Sequence, residues 1–347
     1  MIDSFASGTC RVYGSLEWTA VTSPHSDPTS PLARSLERAP RWALPAAVGG
    51  GLLSAVQSRI NARLASDIGD GFTASAISFG TGLVIVVVIV LARADLRARA
   101  ARFGSDLRRG ALPWPLALGG LGGSIFVLGQ TFTVALIGVA LFIVCVVAGQ
   151  TVTGLVVDRS GLGPGGVRPL TVPRLVGAAL MVVSVVIAMS AGVHLTAPWF
   201  LLALPIVAGV AMGLQQAVNG RVSQHTGHSM IATLGNFVVG TTVLVLVALG
   251  HALLTGNGPT SLPLNPVLYL GGAIGVLYIA LGAKLAAPLG VLTLAMATIA
   301  GQIIGSVLLD VVAPSADAQL HLLTILGALL TLIAAGVTAG VGLPRRR

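Results

Sequence analysis

Residues 57–82 read QSRINARLASDIGDGFTASAISFGTG, and residues 215–240 read QQAVNGRVSQHTGHSMIATLGNFVVG. Laid over one another without a gap, at an offset of 158, they share Gln57 with Gln215, Asn61 with Asn219, Arg63 with Arg221, Gly69 with Gly227, Ala74 with Ala232, Phe79 with Phe237 and Gly82 with Gly240. A second register follows at an offset of 152, where Gly119, Gly120 and Gly123 meet Gly271, Gly272 and Gly275. It goes on to set Gly138 against Gly290, Ala148-Gly149-Gln150 against Ala300-Gly301-Gln302, and Asp158 against Asp310; a weaker echo sets Gly177 against Gly327. Repetition on this scale fixes architecture. The chain is one unit made twice, residues 42–193 and 198–341, after a polar extension over 1–41 and before a basic tail over 342–347.

Composition says which solvent the unit folds in. Hydrophobic residues make up 54% of the 347, charged residues 9%, and the mean hydropathy is +0.92. A water-soluble domain carries about 25% charged residues, so this chain cannot cover its surface in water and lipid must surround most of it. The net charge of +9 is not a nucleic-acid footprint, because the arginines cluster between apolar runs. Cys10 lies in the polar extension and Cys145 in an apolar run, which argues against a disulfide framework or a metal site. The first 40 residues are rich in Ser, Thr and Pro with no apolar core, so they are read as a mobile extension rather than a secretory signal.

Crossing about 30 Å of hydrocarbon takes about 20 apolar residues in a helix. Ten segments qualify: 42–63, 72–92, 114–135, 137–158, 174–193, 198–220, 229–250, 266–287, 289–311 and 320–341. The fold class expected is therefore an all-α polytopic membrane protein. Arg93, Arg97, Arg99, Arg102, Arg108 and Arg109 lie between the second and third segments, and Arg159 and Arg168 between the fourth and fifth, with Arg174 at the edge of the fifth. Arg34, Arg38 and Arg41 precede the first segment, and Arg345, Arg346 and Arg347 end the chain. With ten spans all of these share one face, which the positive-inside rule makes cytoplasmic together with both termini. A unit of five spans is odd, so the second copy enters the membrane inverted relative to the first, as in secondary transporters that bind at the interface of inverted repeats.

Candidate site residues come from polar side chains inside these segments. Gln57 and Asn61 are four apart and share a helical face, continued by Ser54 and Gly50, and Gln215 and Asn219 repeat the spacing. Such amides either line a substrate path or bond helix to helix, and both readings stand. Gln150 and Gln302, each after a glycine, are the next candidates. Secondary candidates are Gln130, which has Gly282 as its counterpart, Arg59, and Lys284, the only lysine. Arg59 and Arg63 fall on the opposite face of the first helix, where they either pair with Asp67 and Asp70 or form part of an anion-attracting vestibule. Asp158 and Asp310 stand at helix ends, where a carboxylate is usually solvated. Small-xxx-small ladders such as Gly119/Gly123 and Gly271/Gly275 suit close helix packing. No Glu follows Glu37 and no Asp sits at the centre of a predicted span, which disfavours proton-coupled export of organic cations. The chain has no phosphate-cradling GxxxxGK[ST] and no hydrolase or HExxH set, and His225 and His228 lack a third ligand nearby. Neither catalysis, a metal nor a cofactor is expected.

The recurring pattern Q-x3-N, then G-x9-F-x2-G, then a glycine-rich helix and A-G-Q ahead of an Asp resembles the YdcZ-like family of bacterial inner-membrane proteins, within the drug/metabolite transporter superfamily. Gln57, Asn61, Gly69, Phe79, Gly82, Gly119, Gly120, Gly149, Gln150 and Asp158 carry it in the first copy; Gln215, Asn219, Gly227, Phe237, Gly240, Gly271, Gly272, Gly301, Gln302 and Asp310 carry it in the second. The resemblance implies a ten-helix transporter fold in the plasma membrane and no particular substrate. The function expected is secondary transport of a small polar metabolite or drug-like molecule by alternating access; a non-transporting membrane scaffold or lipid-handling protein is the alternative. The partners expected are a small-molecule substrate and the lipid bilayer, with no nucleic acid, and a homodimer is compatible with the chain.

Overall fold

The computed structural model describes residues 40–163, 167, 171–190, 199–259, 261–289, 291–313 and 322–338. Cys10, Arg168, Gly290 and the C-terminal arginines lie outside the described residues, as do the side chains of Asp158, Arg174 and Lys284. The described residues form α1 (Ala43–Ile68), α2 (Gly71–Ala92), α3 (Ala94–Arg108), α4 (Gly120–Ser160), α5 (Val172–Met189), α6 (Trp199–Thr226), α7 (Ser229–Thr255), α8 (Gly271–Leu289), α9 (Val291–Val312) and α10 (Leu322–Thr338), with short 3-10 turns at Trp114–Gly119 and Pro266–Tyr269.

The repeated stretch is a helical hairpin. α1 runs past its expected end at 63 to Ile68, because Leu64, Ala65 and Ile68 bury against Ala74 and Leu268. Gly69 (φ 75°) then ends it in the left-handed conformation, which glycine adopts without a Cβ penalty. Asp70 opens α2 by accepting from Phe72 N at 3.0 Å and Thr73 N at 3.2 Å. The second copy repeats the device: α6 runs to Thr226 rather than 220, Gly227 has φ 67°, and the Nδ1 of His228 accepts from Met230 N at 3.1 Å.

α4 is two helices end to end. Gly138 (φ 78°, ψ 163°) breaks it, two residues past the junction expected at 136 between segments 114–135 and 137–158. The break frees the amides of Val139 and Ala140, and Asp310 from α9 takes both, at 3.1 and 2.7 Å. Asp310 is therefore buried, not the solvated helix-end carboxylate expected from its position. Beyond the break, residues 139–148 are buried on all sides and form the axis of the core.

Contacts between helices pair the copies reciprocally. α1 packs on α9 and α8 as α6 packs on the two parts of α4, while α2 meets α7 and α5 meets α10. Glycines make these approaches close. A Cβ on Gly301 would fall 1.9 Å from the Val48 carbonyl oxygen, and one on Gly149 would fall 2.3 Å from that of Ile206. In return a Cβ on Gly51 would fall 2.0 Å from Thr298 O, and one on Gly209 would fall 2.1 Å from Val146 O. Gly272 sits against the backbone of Ser78 and Gly82, as Gly120 sits against that of Asn236 and Gly240.

The surface inverts the rule for water-soluble proteins. Val84, Val88 and Leu91 on α2, Leu246, Leu249 and Leu253 on α7, and Leu329 and Ile333 on α10 are exposed, while a set of Ser, Thr, Asn and Gln side chains is buried. Gly71–Ala92, Trp114–Val157 and Ser229–Thr255 are long and apolar enough to cross a membrane, and Leu175–Ile187, Gly271–Gly282, Ala297–Val312 and Leu322–Val337 are shorter apolar helices. The arginine-rich segment after α2 is a helix of its own, α3, tied to the second copy by Arg99 donating to Thr226 O and by Asp106 against His225 Nε2 at 2.8 Å.

Two outcomes follow from this packing. Gly301→Ala should lower the unfolding midpoint in detergent by an amount matching the roughly 1–3 kcal/mol of an overpacked core, while Gly49→Ala, with nothing within 4 Å of its new Cβ, should leave it unchanged or slightly higher. Equal midpoints for the two variants would remove the backbone seat at Gly301. Asp310→Ala should cost about 1–3 kcal/mol by orphaning the amides of Val139 and Ala140, and Asp310→Asn should recover part of that, since it keeps one acceptor for the two donors.

Candidate functional site

Ser54, Gln57, Ser58 and Asn61 follow the i, i+3, i+4, i+7 spacing of one helical face, and all four are buried in α1. A directed chain of hydrogen bonds runs through this face. Asn61 Nδ2 donates to Gln130 Oε1 at 2.7 Å, Gln130 Nε2 to Ser58 Oγ at 2.8 Å, and Ser58 Oγ to the Ser54 carbonyl at 3.0 Å. Gln302 reaches the same face from α9, its Nε2 donating to Ser54 Oγ at 3.3 Å. The structure thus brings Asn61, Gln130 and Gln302 into one network, and Gln130, ranked below the paired amides from sequence, is its junction.

The second copy is built differently. Met212 stands where the first has Ser54, and Gln216, exposed, where it has Ser58. Gly282 replaces Gln130, so no equivalent chain can form. Instead Asn236 Nδ2 donates to Asn219 Oδ1 at 2.8 Å. Gln215 is buried, and Gln150 Nε2 is buried without a partner.

Between the copies, Phe79 and Phe237 stack with ring centroids 5.1 Å apart. Each lies over a glycine of the other copy, Phe237 over Gly82 and Phe79 over Gly240. The glutamines flank this pair. Gln57 Nε2 lies 2.9 Å, and the tip of Phe237 3.6 Å, from where a Gly275 Cβ would stand. The Gln215 amide lies 3.4 Å, and the tip of Phe79 2.8 Å, from the matching point at Gly123. One turn along, Asn61 faces Gly271 and Asn219 faces Gly119. The four paired amides therefore all sit on seams between the copies.

The charged candidates go elsewhere. Arg59 donates to the Ala313 carbonyl at the end of α9. Arg63 pairs with Asp67 at 2.9 Å on an exposed turn, as expected, but Asp70 is committed to capping α2 and is not an arginine partner. Lys284 belongs to α8 by its backbone. Asp70 and Asp310 are the buried charged side chains among the described residues, and each holds a helix N-terminus. Among the described residues, the amide seams between the copies are lined by neutral hydrogen-bonding groups. His225 and His228 are engaged with Asp106 and the α7 N-terminus, and no metal-ligand cluster occurs among the described residues.

Sequence reasoning passed over Ser78, Asn236 and the aromatic pair. Ser78 and Asn236 are equivalent at the offset of 158 but differ in identity, so a search for matching residues skips them. Phe79 and Phe237 were visible as a repeat. That they touch was legible in principle, because equivalent residues meet on the axis relating the two copies.

The family described as "Putative inner membrane exporter, YdcZ" matches residues 42–187 and again residues 200–337. No curated protein matches the chain. One solved structure, titled only as a crystal structure of a protein, superposes with a TM-score of 0.51 over 84% of this chain and 96% of the other at 18% identity, a likeness of fold alone. The two family matches begin and end near the limits of the two copies, and the buried amides, glycine seats and apolar exterior suit a carrier embedded in lipid. The chain belongs to the YdcZ family of inner-membrane transporters within the drug/metabolite transporter group, with the family's unit present twice in tandem.

Proposed function

We propose that this membrane protein is a secondary transporter working by alternating access, with ten spans arranged as two inverted five-helix units and both termini cytoplasmic. Its cargo is a small polar, neutral or anionic solute, held between the units by Gln57, Asn61, Gln215 and Asn219, with Gln150 and Gln302 behind them. The observation that carries this is a set of buried amide atoms without partners at the seams, Asn61 Oδ1, Gln215 Oε1, Gln302 Oε1 and Gln150 Nε2. Each orphaned buried polar group costs about 1–3 kcal/mol. A scaffold that used amides only to bond helix to helix would have closed them, as Asn219 and Asn236 are closed. Such a cost is tolerated where a ligand supplies the missing partner.

Inversion is supported by the ends of the helices. α1 ends at the two-residue turn where α2 begins, whereas α6 ends against Arg99 of α3, the helix that follows the end of α2. Equivalent ends of α1 and α6 thus lie at opposite ends of α2. The arginines of α3 and Arg221, which donates to Gly161 O at 2.8 Å, gather at the α6 end, as the cytoplasmic side requires.

Both parts of the reading can be checked. In a background carrying Cys10→Ser and Cys145→Ser, the equivalent exposed positions Ser66→Cys and Gln224→Cys should react with a membrane-impermeant maleimide from opposite sides of the bilayer; labelling of both from one side ends the inverted arrangement. In proteoliposomes without ATP, the wild-type chain should move at least one uncharged polar metabolite from a broad panel, and Gln57→Ala with Gln215→Ala should slow it more than tenfold at unchanged monodispersity. Undiminished flux in the double variant rejects the site.

A further inference from the structure

The two copies bury equivalent pairs of side chains and finish them differently. In the second copy Asn236 Nδ2 closes on Asn219 Oδ1 at 2.8 Å. Gly119 lies beside both: a Cβ there would stand 2.6 Å from Asn236 Oδ1 and 3.1 Å from Asn219 Oδ1. In the first copy the positions are Asn61 and Ser78, with Gly271 in the place of Gly119. Serine is too short to bridge. Asn61 Oδ1 and Ser78 Oγ have no hydrogen-bond partner, although the side chains are 0% and 2% exposed. Both are packed against Gly271: a Cβ there would stand 2.1 Å from Asn61 Oδ1 and 2.8 Å from Ser78 Oγ, so only a glycine lets the two unpaired atoms lie side by side at this seam.

The orientation of the Asn61 amide is set by its neighbours. The chain from Asn61 through Gln130 and Ser58 ends on the Ser54 main-chain carbonyl, which can only accept. Each link upstream must therefore donate toward it, and Asn61 spends an N–H on Gln130. Its carbonyl oxygen is the atom left facing Gly271. The first copy thus presents a fixed acceptor beside a hydroxyl that donates or accepts, where the second presents a closed pair.

We infer that Asn61 Oδ1 and Ser78 Oγ at Gly271 form a subsite for the O–H or amide N–H of an uncharged solute, so that the cargo class is small neutral alcohols or primary amides. Once the helices part at Gly271, a hydroxyl would satisfy both atoms by donating to Asn61 and accepting from Ser78; a primary amide would do so with its N–H and C=O. The inference rests on the proposed transport role for the choice of cargo, and its test reads binding alone.

Two matched pairs of probes serve on the full chain in nanodiscs: acetamide against N,N-dimethylacetamide, and propane-1,2-diol against 1,2-dimethoxypropane. Ser78→Asn copies the closed pair of the second copy and should satisfy Asn61. A saturable thermal shift is expected with acetamide or the diol and not with the methylated partners. In Ser78→Asn its half-saturating concentration should rise at least tenfold, and in Ser78→Ala, which keeps the Asn61 carbonyl and decides the matter if Ser78→Asn does not fold, at least threefold. Equal responses to free and methylated probes, or unaltered binding in the variants, overturn the subsite. So does the absence of a saturable response in the wild type, which would leave a resident water as the occupant. Binding without flux would overturn the transport reading and leave the subsite standing; flux with Ser78 variants binding like wild type would do the reverse.

Discussion

The close approach of backbones at glycine is the constraint on which the rest of this structure depends. Between helices in lipid there is no water to expel, so association relies on van der Waals packing and interhelical hydrogen bonds. Here those contacts are reciprocal. Gly301 takes the carbonyl of Val48 while Gly51 takes that of Thr298, and Gly149 takes Ile206 while Gly209 takes Val146. Each copy provides the groove into which the other fits, so neither copy finishes its own interior. The tandem match to the family is the covalent counterpart of this interlock.

Seating the copies so closely decides where polarity can go. The amides of α1 and α6 point at glycines of the opposite copy, so they lie on seams rather than inside one bundle. The buried carboxylates of Asp70 and Asp310 serve helix N-termini, and Arg59, Arg63, Arg99 and Arg221 reach main-chain carbonyls or an acidic partner near helix ends. A neutral, partly unpaired interior inside an apolar exterior can discriminate solutes by hydrogen-bond pattern without the desolvation cost of a buried ion.

Much of this was legible in the sequence, because repetition, apolar run length and amide spacing are local signals. The helical hairpin at Gly69 and its twin at Gly227 follow from residues that the two copies share. The reading fell short where a long-range contact set the outcome. Asp310 stands at a helix end, and only the break at Gly138, far away in the chain, turns it from a solvated group into a buried cap. Asp70 was read as an arginine partner because charge proximity in sequence ignores the stronger local claim of an N-cap. The importance of Gln130 depends on Ser58, a residue with no special signature of its own, standing 2.8 Å away in the folded chain. The segment holding Arg97, Arg99 and Arg102 was read as a connection, whereas its apolar side, Leu96 and Phe103, gives it a surface on which to dock as α3.

An inverted pair of units, as proposed here, exchanges roles between its two end states, so departures from symmetry determine which state is favoured. They fall in two places. In the interior they are Ser78 against Asn236 and Gln130 against Gly282; the first leaves polar atoms unpaired at one seam where the other is paired. At the ends they are different sets of clasps: Arg59 on Ala313 O at one, and Arg99 on Thr226 O, Arg221 on Gly161 O and His225 with Asp106 at the other. A hydrogen bond to a charged group contributes about 1.5–3 kcal/mol, and water replaces it readily once an end opens. The glycine seats have no such substitute, since parting them leaves a void or lipid-sized gap along a whole helix. On the proposed alternating-access reading, rocking that breaks clasps at one end while the helices pivot on their seats would be the low-cost motion, and the unpaired Asn61 carbonyl would lie along that pivot.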